Sequence, residues 1–134
     1  MSSALVLALA PGAEALVWTS SINDGSPGFE SRRWSDQSYS QIQFYDCSNR
    51  STTGTPDSVD VQIWRDISLQ PDDAYDNKTF TACYGAGASN GEWTDLPATT
   101  VTVYFQLMKV GSTTSPGFAT VDVGYLSVDT TKAD

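Results

Sequence analysis

Hydrophobic and polar residues alternate with a period of two in five segments of the chain. The alternation is clearest in TVTVYFQLM, residues 100–108, where apolar side chains occupy every second position from Val101 to Leu107. The other four segments are SQIQFYD (40–46), SVDVQIW (58–64), KTFTACY (78–84) and FATVDVGYLSV (118–128). This period is typical of antiparallel strands with one buried face. We therefore predict a strand at each segment and a weaker sixth strand at LVWTS, residues 16–20.

Turn-forming residues separate these segments. Gly, Pro, Asn and Asp cluster at residues 23–28, 53–56, 70–73, 85–91 and 111–117. No segment has the spacing of an amphipathic helix, and only a single helical turn is expected, near PDDAY, residues 71–75. Short strands joined by such loops predict an all-β protein, an antiparallel β-sandwich of immunoglobulin-like or Greek-key type with about six to eight strands.

Residues 1–15 are interpreted separately from this domain. The segment MSSALVLALAPGAEA has an apolar run, a Pro-Gly break and then Ala13-Glu14-Ala15, which suits a secretory peptidase. The basic residues that normally precede such a run are missing, which suggests a truncated start, and a short hydrophobic strand is the alternative. We expect a signal peptide at residues 1–15 and one secreted domain at residues 16–134, with a loose C-terminal tail from residue 129.

Composition restricts the partners of the protein. The chain of 134 residues has a formal net charge of −9 and contains no histidine. This charge disfavours binding to nucleic acid or anionic lipid and leaves neutral or basic partners. The apolar run near the N-terminus is far shorter than the roughly 20 residues that a membrane span requires, so membrane insertion is not expected.

The two cysteines, Cys47 and Cys83, are expected to form one disulfide. An even number of cysteines in an exported protein is typical of a structural bridge. Strand parity places Cys47 with Tyr45 and Cys83 with Thr81, on the polar faces of their segments. We therefore predict a bridge at the periphery of the domain. The same reasoning places Tyr125 on the buried face of the last segment.

Two local patterns are similar to immunoglobulin-like domains. Cys47, Trp64 and Cys83 follow the order Cys…Trp…Cys, and LQPDDAY, residues 69–75, has the L-x-P-x-x-x-Y spacing of fibronectin type III domains. The whole chain resembles small secreted single-disulfide β-sandwich proteins of actinobacteria. That resemblance rests on the N-terminal segment, the cysteine pair and NGEWTDLPATTVTVYFQL, residues 90–107. It implies an extracellular location and a sandwich fold.

Catalytic chemistry finds little support in the residues. Gly87 to Gly91 match the G-x-S-x-G pattern, but that motif needs a histidine base and an α/β framework, so Ser89 is interpreted as part of a turn. Without histidine, carboxylate pairs remain as acid–base candidates. These are Asp72 with Asp73, Asp60 with Asp66, and Glu92 with Asp95. Each is more typical of a solvated surface, so we predict a protein that is not an enzyme and has no cofactor.

Calcium is the one metal that the sequence brings into consideration, because it prefers clustered oxygen ligands. Asn23 with Asp24 forms one weak candidate cluster, and Asp72, Asp73 and Asp76 form the other. Neither cluster has EF-hand spacing, and solvated turns are the alternative interpretation.

Aromatic side chains give a better lead to a binding surface. Trp64 shares its parity with Asp60 and Gln62, and Tyr45 and Tyr104 also fall on polar faces of their segments. If these strands are neighbours, the three rings form one platform beside amides and acids, which suits a sugar or a protein. The alternative is that a neighbouring loop covers Trp64.

The segment from Gly25 to Trp34 is the second lead. It contains the adjacent pair Arg32 and Arg33, which together with Trp34 are candidate binding residues. It is typical of a long exposed connection, which in compact domains is usually functional or disordered. The binding candidates together favour a small secreted module that recognises another secreted or cell-surface protein, as an inhibitor or as a subunit of a larger assembly. A carbohydrate-binding module that recognises a glycan is the alternative.

Overall fold

The structure is a computed structural model that describes residues 17–51 and 56–131. The strands in these residues are β1 (Val17–Gly25), β2 (Trp34–Asp36), β3 (Ser40–Ser51), β4 (Val59–Arg65), β5 (Asp73–Phe80), β6 (Ala88–Trp93), β7 (Val101–Val110) and β8 (Ala119–Asp129). A short 3₁₀ turn, Ala82–Tyr84, lies between β5 and β6. The expected signal peptide, residues 1–15, lies outside the described residues. Within the described part of the chain, no helix has the length and apolar character needed to cross a membrane.

The strands form two antiparallel sheets that pack face to face. Sheet one has the order β1-β8-β3-β6, and sheet two has the order β2-β7-β4-β5. Among the described strands, only β4 and β5 follow each other in the chain and also pair within one sheet. The predicted antiparallel β-sandwich is confirmed. Within that class the eight strands have a jelly-roll order, whereas immunoglobulin domains divide their strands as ABED and CFG.

The predicted strands are present, although one of them is shortened. Strand β3 covers its predicted segment, and β4, β7 and β8 each begin one residue later than predicted. Strand β1 corresponds to the weaker N-terminal candidate. The segment 78–84 is a strand only as far as Phe80, and the 3₁₀ turn follows it. The helical turn predicted near residues 71–75 is wrong, because β5 begins at Asp73. The tail expected from residue 129 is also wrong in part, because β8 includes Asp129 and Thr130 is buried.

Two strands that the sequence did not predict lie at sheet edges. Strand β2 pairs only with β7, and β6 pairs only with β3. The inward-facing residues of β6 are Ser89, Gly91 and Trp93. Two of these three residues are small rather than hydrophobic, so the alternation is not visible in the sequence. The interpretation of Ser89 as part of a turn is therefore wrong.

The core lies between the two sheets and is centred on aromatic residues. The ring of Phe44 meets Phe80 edge-on with centroids 5.1 Å apart and Phe105 with centroids 5.7 Å apart. Aromatic pairs of this kind contribute about 0.5–1.5 kcal/mol beyond the burial of their area. Trp93 is buried in this core, and its indole N–H donates to the Asp76 carbonyl at 2.7 Å.

The disulfide lies in this core, so its predicted peripheral position is wrong. Cys47 and Cys83 are bonded to each other, and they are 7% and 0% exposed. Cys47 faces inward because Asp46 before it adopts a φ of 58°, a left-handed conformation that interrupts the alternation of β3. Cys83 lies in the 3₁₀ turn, where strand parity does not apply. The bridge therefore joins the middle of sheet one to the connection between β5 and β6.

Strand β8 changes its parity at the same level as β3. Val123 and Leu126 both face the core, whereas Tyr125 between them is 47% exposed, so its predicted burial is wrong. A Cβ on Gly124 would lie 2.6 Å from an Asp46 carboxylate oxygen. The absence of a side chain at Gly124 therefore leaves space for Asp46. Because both strands change parity together, the pairing of β3 with β8 stays in register.

Candidate functional site

Trp64 and Tyr104 lie side by side on the outer face of sheet two. They are register partners in the β4–β7 pair, so these two residues share a face as predicted. Trp64 is half-buried, and Tyr104 is only 4% exposed. The two rings are therefore largely covered and do not form an open platform.

Tyr45 lies on the opposite side of the molecule, on the outer face of sheet one. Its register partner in β8 is Tyr125, and the two ring centroids are 5.3 Å apart. The predicted platform of Tyr45, Trp64 and Tyr104 is therefore wrong as a single surface. Strand parity identifies which side chains share a face of one strand, but it does not identify the sheet to which that strand belongs.

Arg33 covers the ring of Tyr104. Its guanidinium carbon lies 3.9 Å from the ring centroid, a cation–π contact of about 0.5–1 kcal/mol at exposed sites. The same guanidinium makes ion pairs of 3.1 Å with Glu30 and with Asp66. Burial alone would lower the pKa of Arg33, but hydrogen bonds to these two carboxylates outweigh it, so the pKa lies above its usual value. Arg33 is thus engaged by its own chain.

The connection between β4 and β5, residues 66–72, begins at this cluster, and we refer to it as the braced loop. Asp66 at its start accepts a hydrogen bond from the Nε of Arg33 at 3.1 Å. The backbone N–H of Asp66 also donates to the carbonyl of Thr102 in β7 at 2.9 Å. Side-chain and backbone contacts therefore fix the first residue of the loop to sheet two.

Asp72 fixes the other end of the braced loop. One carboxylate oxygen accepts from the Tyr104 hydroxyl at 2.6 Å, and the other accepts from the backbone N–H of Ile67 at 3.0 Å. The hydrogen bond from Tyr104, followed by that from Ile67, lowers the pKa of Asp72. Burial and the bond to Asp72 raise the pKa of Tyr104. Tyr104 therefore acts as a neutral donor that connects the loop to β7.

Leu69 lies at the tip of the braced loop. Its relative exposure is 105%, and its backbone φ is 64°, in the left-handed region. The L-x-P-x-x-x-Y resemblance to fibronectin type III domains therefore does not extend to packing, because the leucine faces solvent. No feature of the sequence indicated this position, since an isolated leucine among polar residues is consistent with either a buried or an exposed side chain.

The dibasic pair is divided between two locations. Arg32 lies over the ring of Trp18, 4.9 Å from its centroid, while Arg33 contacts Tyr104. Trp34 is 6% exposed and packs edge-on against Trp18. The inclusion of Trp34 among the surface binding residues is therefore wrong, because its side chain belongs to the core.

The connection that precedes Trp34 is not a free arm. Its backbone runs beside β7. The N–H of Gly28 donates to the carbonyl of Leu107 at 2.8 Å, and the N–H of Ser31 donates to the carbonyl of Phe105 at 2.9 Å. The Ser31 side chain is buried, and its hydroxyl accepts from the Phe105 N–H at 2.9 Å. These contacts make residues 26–33 an irregular extension of sheet two.

In each acidic cluster that is a candidate for calcium, one carboxylate is engaged by protein groups. Both oxygens of Asp72 accept hydrogen bonds, and Asp73 and Asp76 are exposed in β5. In the other cluster, Asp24 pairs with Arg50 at 3.4 Å. Within residues 17–51 and 56–131, no group of three or more acidic or cysteine side chains is arranged to hold a metal ion.

The catalytic candidates have structural partners. The hydroxyl of Ser89 is buried and accepts from the backbone N–H of Cys83 at 2.9 Å. Asp60 accepts hydrogen bonds from the side chains of Asn77 and Thr79 across the β4–β5 pair. Both groups therefore serve the sandwich itself.

The geometry leaves two surfaces as candidates for binding. One is the braced loop with Leu69, and the other is the outer face of sheet one around Tyr45 and Tyr125. No protein-family model, curated protein or solved structure matches this chain. The function is therefore argued from the residues of these surfaces.

Proposed function

We propose that this protein is a secreted, non-enzymatic binding module that recognises another extracellular protein through the braced loop. The exposure of Leu69 carries the proposal. Because Leu69 is exposed, its side chain contributes no burial energy to the fold. Its left-handed backbone also costs about 1 kcal/mol or more, as for any residue other than glycine. Insertion of Leu69 into an apolar pocket of a partner would bury the side chain and offset the cost of the left-handed backbone.

The attachment of the loop supports this role. Asp66 and Asp72 are held by Arg33 and Tyr104, so both ends of the loop are fixed before any partner binds. A loop that is already ordered loses less conformational entropy on binding than a flexible one. The Arg33–Tyr104 cluster thus contributes to binding by positioning Leu69, without contacting the partner itself.

The charge around the loop indicates the chemistry of the partner. Asp66, Asp72 and Asp73 flank the loop, and Arg65 is the one basic residue beside them in the chain. The net charge of the whole chain is −9. Charge complementarity therefore favours an apolar pocket with a basic rim.

An extracellular location is part of the proposal. The buried bridge between Cys47 and Cys83 is a structural disulfide, and such bridges persist in oxidising compartments. The peptidase-compatible segment at residues 1–15 supports the same location.

Site-specific photo-crosslinking tests the proposal. Leu69 is replaced by benzoyl-phenylalanine, and the protein is irradiated in culture medium of its source. We expect one dominant adduct that mass spectrometry identifies and that excess wild-type protein suppresses. The matched control carries the same group at Phe118, which is also exposed at 57% and lies in the turn before β8. Equal adducts at the two positions, or none at Leu69, would contradict docking through the loop.

The attachment of the braced loop to Tyr104 can be tested separately once the partner has been isolated. Tyr104→Phe removes only the hydroxyl that binds Asp72, so the loop loses an anchor while the Leu69 side chain itself is unchanged. We expect a several-fold weaker Kd with an unchanged fold. Leu69→Asp should abolish binding. If Tyr104→Phe binds as tightly as wild type, the proposal that Tyr104 positions the braced loop is wrong.

A further inference from the structure

The strand register of sheet one arranges outward-facing residues in rows across the sheet. One row consists of Tyr125, Tyr45 and Ala88, which are successive partners in β8, β3 and β6. Tyr125 is 47% exposed, and Tyr45 is half-buried against it. This row therefore presents one accessible aromatic ring near the middle of a sheet face.

The adjacent row crosses four strands and is polar but uncharged. It consists of Thr19, Ser127, Gln43 and Asn90, which are register partners in β1, β8, β3 and β6. With a strand spacing of about 4.8 Å, four strands give a row about 14 Å wide. Hydroxyl and amide groups thus line the whole width of the sheet beside the aromatic row.

Hydrogen bonds connect the two rows. The Tyr45 hydroxyl donates to the Oε1 atom of Gln43 at 3.2 Å, and this bond does not use the Gln43 amide nitrogen. Asn90 accepts from Gln41 at 2.6 Å and donates to Glu92 at 3.2 Å. These bonds orient the amides before any ligand is present.

We infer that this face of sheet one is a binding site for a neutral polysaccharide. An exposed aromatic ring provides apolar area for one face of a sugar ring, and neighbouring amides and hydroxyls can both donate to and accept from sugar hydroxyls. The inference is independent of the function proposed for the braced loop, which belongs to the other sheet.

The composition of the face favours a sugar over a protein partner. A protein hot spot is usually a cluster of large aromatic or basic anchors in a well-packed pocket. The central rows of this face instead combine one exposed ring with short neutral polar side chains. Acidic residues, Asp129 and Glu92, lie one row farther out as partners of Gln41. They disfavour an anionic polysaccharide and leave a neutral one.

Sedimentation and affinity electrophoresis test this site. The wild-type protein is mixed with cellulose or chitin, and it is run in native gels that contain xylan or amylose, with polygalacturonate as the anionic comparison. We expect retention by at least one of the four neutral polysaccharides and none by polygalacturonate. Tyr125→Ala should weaken that retention about tenfold or more, as for loss of a central aromatic contact.

Three further variants distinguish loss of the polysaccharide site from a folding defect or a nonspecific loss of binding. Phe118→Ala removes an aromatic ring with 57% exposure outside the two rows and should retain full binding. Gln43→Ala keeps the Tyr45–Tyr125 pair and should still reduce retention, which guards against a folding defect in Tyr125→Ala. Leu69→Asp should bind the polysaccharide normally even if it has lost its protein partner. Failure of all four neutral probes, or equal binding by Tyr125→Ala and wild type, would overturn the inference.

Discussion

The two glycines of the Gly87–Gly91 segment should respond in opposite ways to replacement by alanine. A Cβ on Gly91 would lie 2.9 Å from Phe80 Cζ and 2.9 Å from two ring atoms of Trp93. Both rings are buried, and a hydrogen bond to Asp76 holds the indole, so neither can move freely. Such overpacking costs about 1–3 kcal/mol.

A second effect acts in the other direction at both positions. Alanine restricts the unfolded chain more than glycine does, which stabilises the folded state by about 0.4–1 kcal/mol where the backbone allows it. Gly91→Ala should therefore lose about 1–2 kcal/mol in net stability. A Cβ on Gly87 would have no atom within 4 Å. Gly87→Ala should therefore gain up to about 1 kcal/mol from the entropic effect alone.

Urea and thermal unfolding followed by tryptophan fluorescence measure both changes. For a domain of this size, 1 kcal/mol corresponds to about 4 °C in Tm. The Tm of Gly91→Ala should fall by about 4–8 °C, and that of Gly87→Ala should rise slightly. Equal stability of the two variants would refute the close packing of Gly91 against Phe80 and Trp93. A gain in stability for Gly91→Ala would refute it as well.

Three further predictions concern other contacts. The lowered pKa of Asp72 means that its contribution to stability is present at neutral pH and is lost as pH falls below about 4; Tyr104→Phe should raise this pKa in an NMR carboxyl titration, and an unchanged value would contradict the contact. Replacing both Cys47 and Cys83 by alanine should lower the free energy of unfolding, measured in urea, by about 4 kcal/mol, because the bridge closes a loop with a separation of 36 residues. A loss below about 1 kcal/mol would contradict a stabilising role of loop closure. Ser89→Ala should cost about 1–3 kcal/mol in thermal unfolding, because the buried Cys83 N–H loses its acceptor; a stability equal to that of wild type would show that this bond is unimportant.

The sequence predicts the interior strands well because their two faces meet different surroundings. Each residue of β7 from Val101 to Leu107 alternates between core and exterior, so hydrophobicity follows the period of the strand. Edge strands do not obey this rule as strictly. Strand β6 places Gly91 toward the core where Phe80 and Trp93 already fill the space, and it places Ser89 there with its hydroxyl bonded to the Cys83 N–H. Small inward residues leave no hydrophobic signal, and β6 was missed for that reason.

Side-chain orientation in sheet one could not be obtained from parity alone. A single left-handed residue, Asp46, moves Cys47 from the outer to the inner face and affects every assignment beyond it. Aspartate tolerates this conformation better than most residues, but it also occurs in many ordinary positions. The wrong location of the disulfide follows from this backbone angle together with the 3₁₀ turn at Cys83. The wrong location of Tyr125 follows from the matching parity change at Gly124 in β8.

For the candidate surfaces as well, the sequence predicts the face on which a residue lies but not its neighbours in the folded chain. Parity correctly placed Trp64 and Tyr104 on outer faces, yet their proximity depends on the pairing of β4 with β7. Arg33 was predicted as a binding residue because it is basic and lies in a long connection. In the folded chain its charge is satisfied by Glu30 and Asp66, so in the proposed function Arg33 acts by fixing the braced loop.

The location of the two surfaces on different sheets determines how they can act together. Sheets that pack face to face are separated by about 10 Å, so a protein bound at the braced loop leaves the outer face of sheet one open. A surface that carries both ligands would therefore engage both sites of one molecule, and the second contact would form at a high effective concentration. In that case wild-type retention on such a surface should exceed the sum of its retentions on two surfaces that each carry one ligand, and Leu69→Asp and Tyr125→Ala should each reduce it toward the level given by the ligand that still binds. If wild-type retention equals that sum, the two sites bind independently and the module does not bridge its partners.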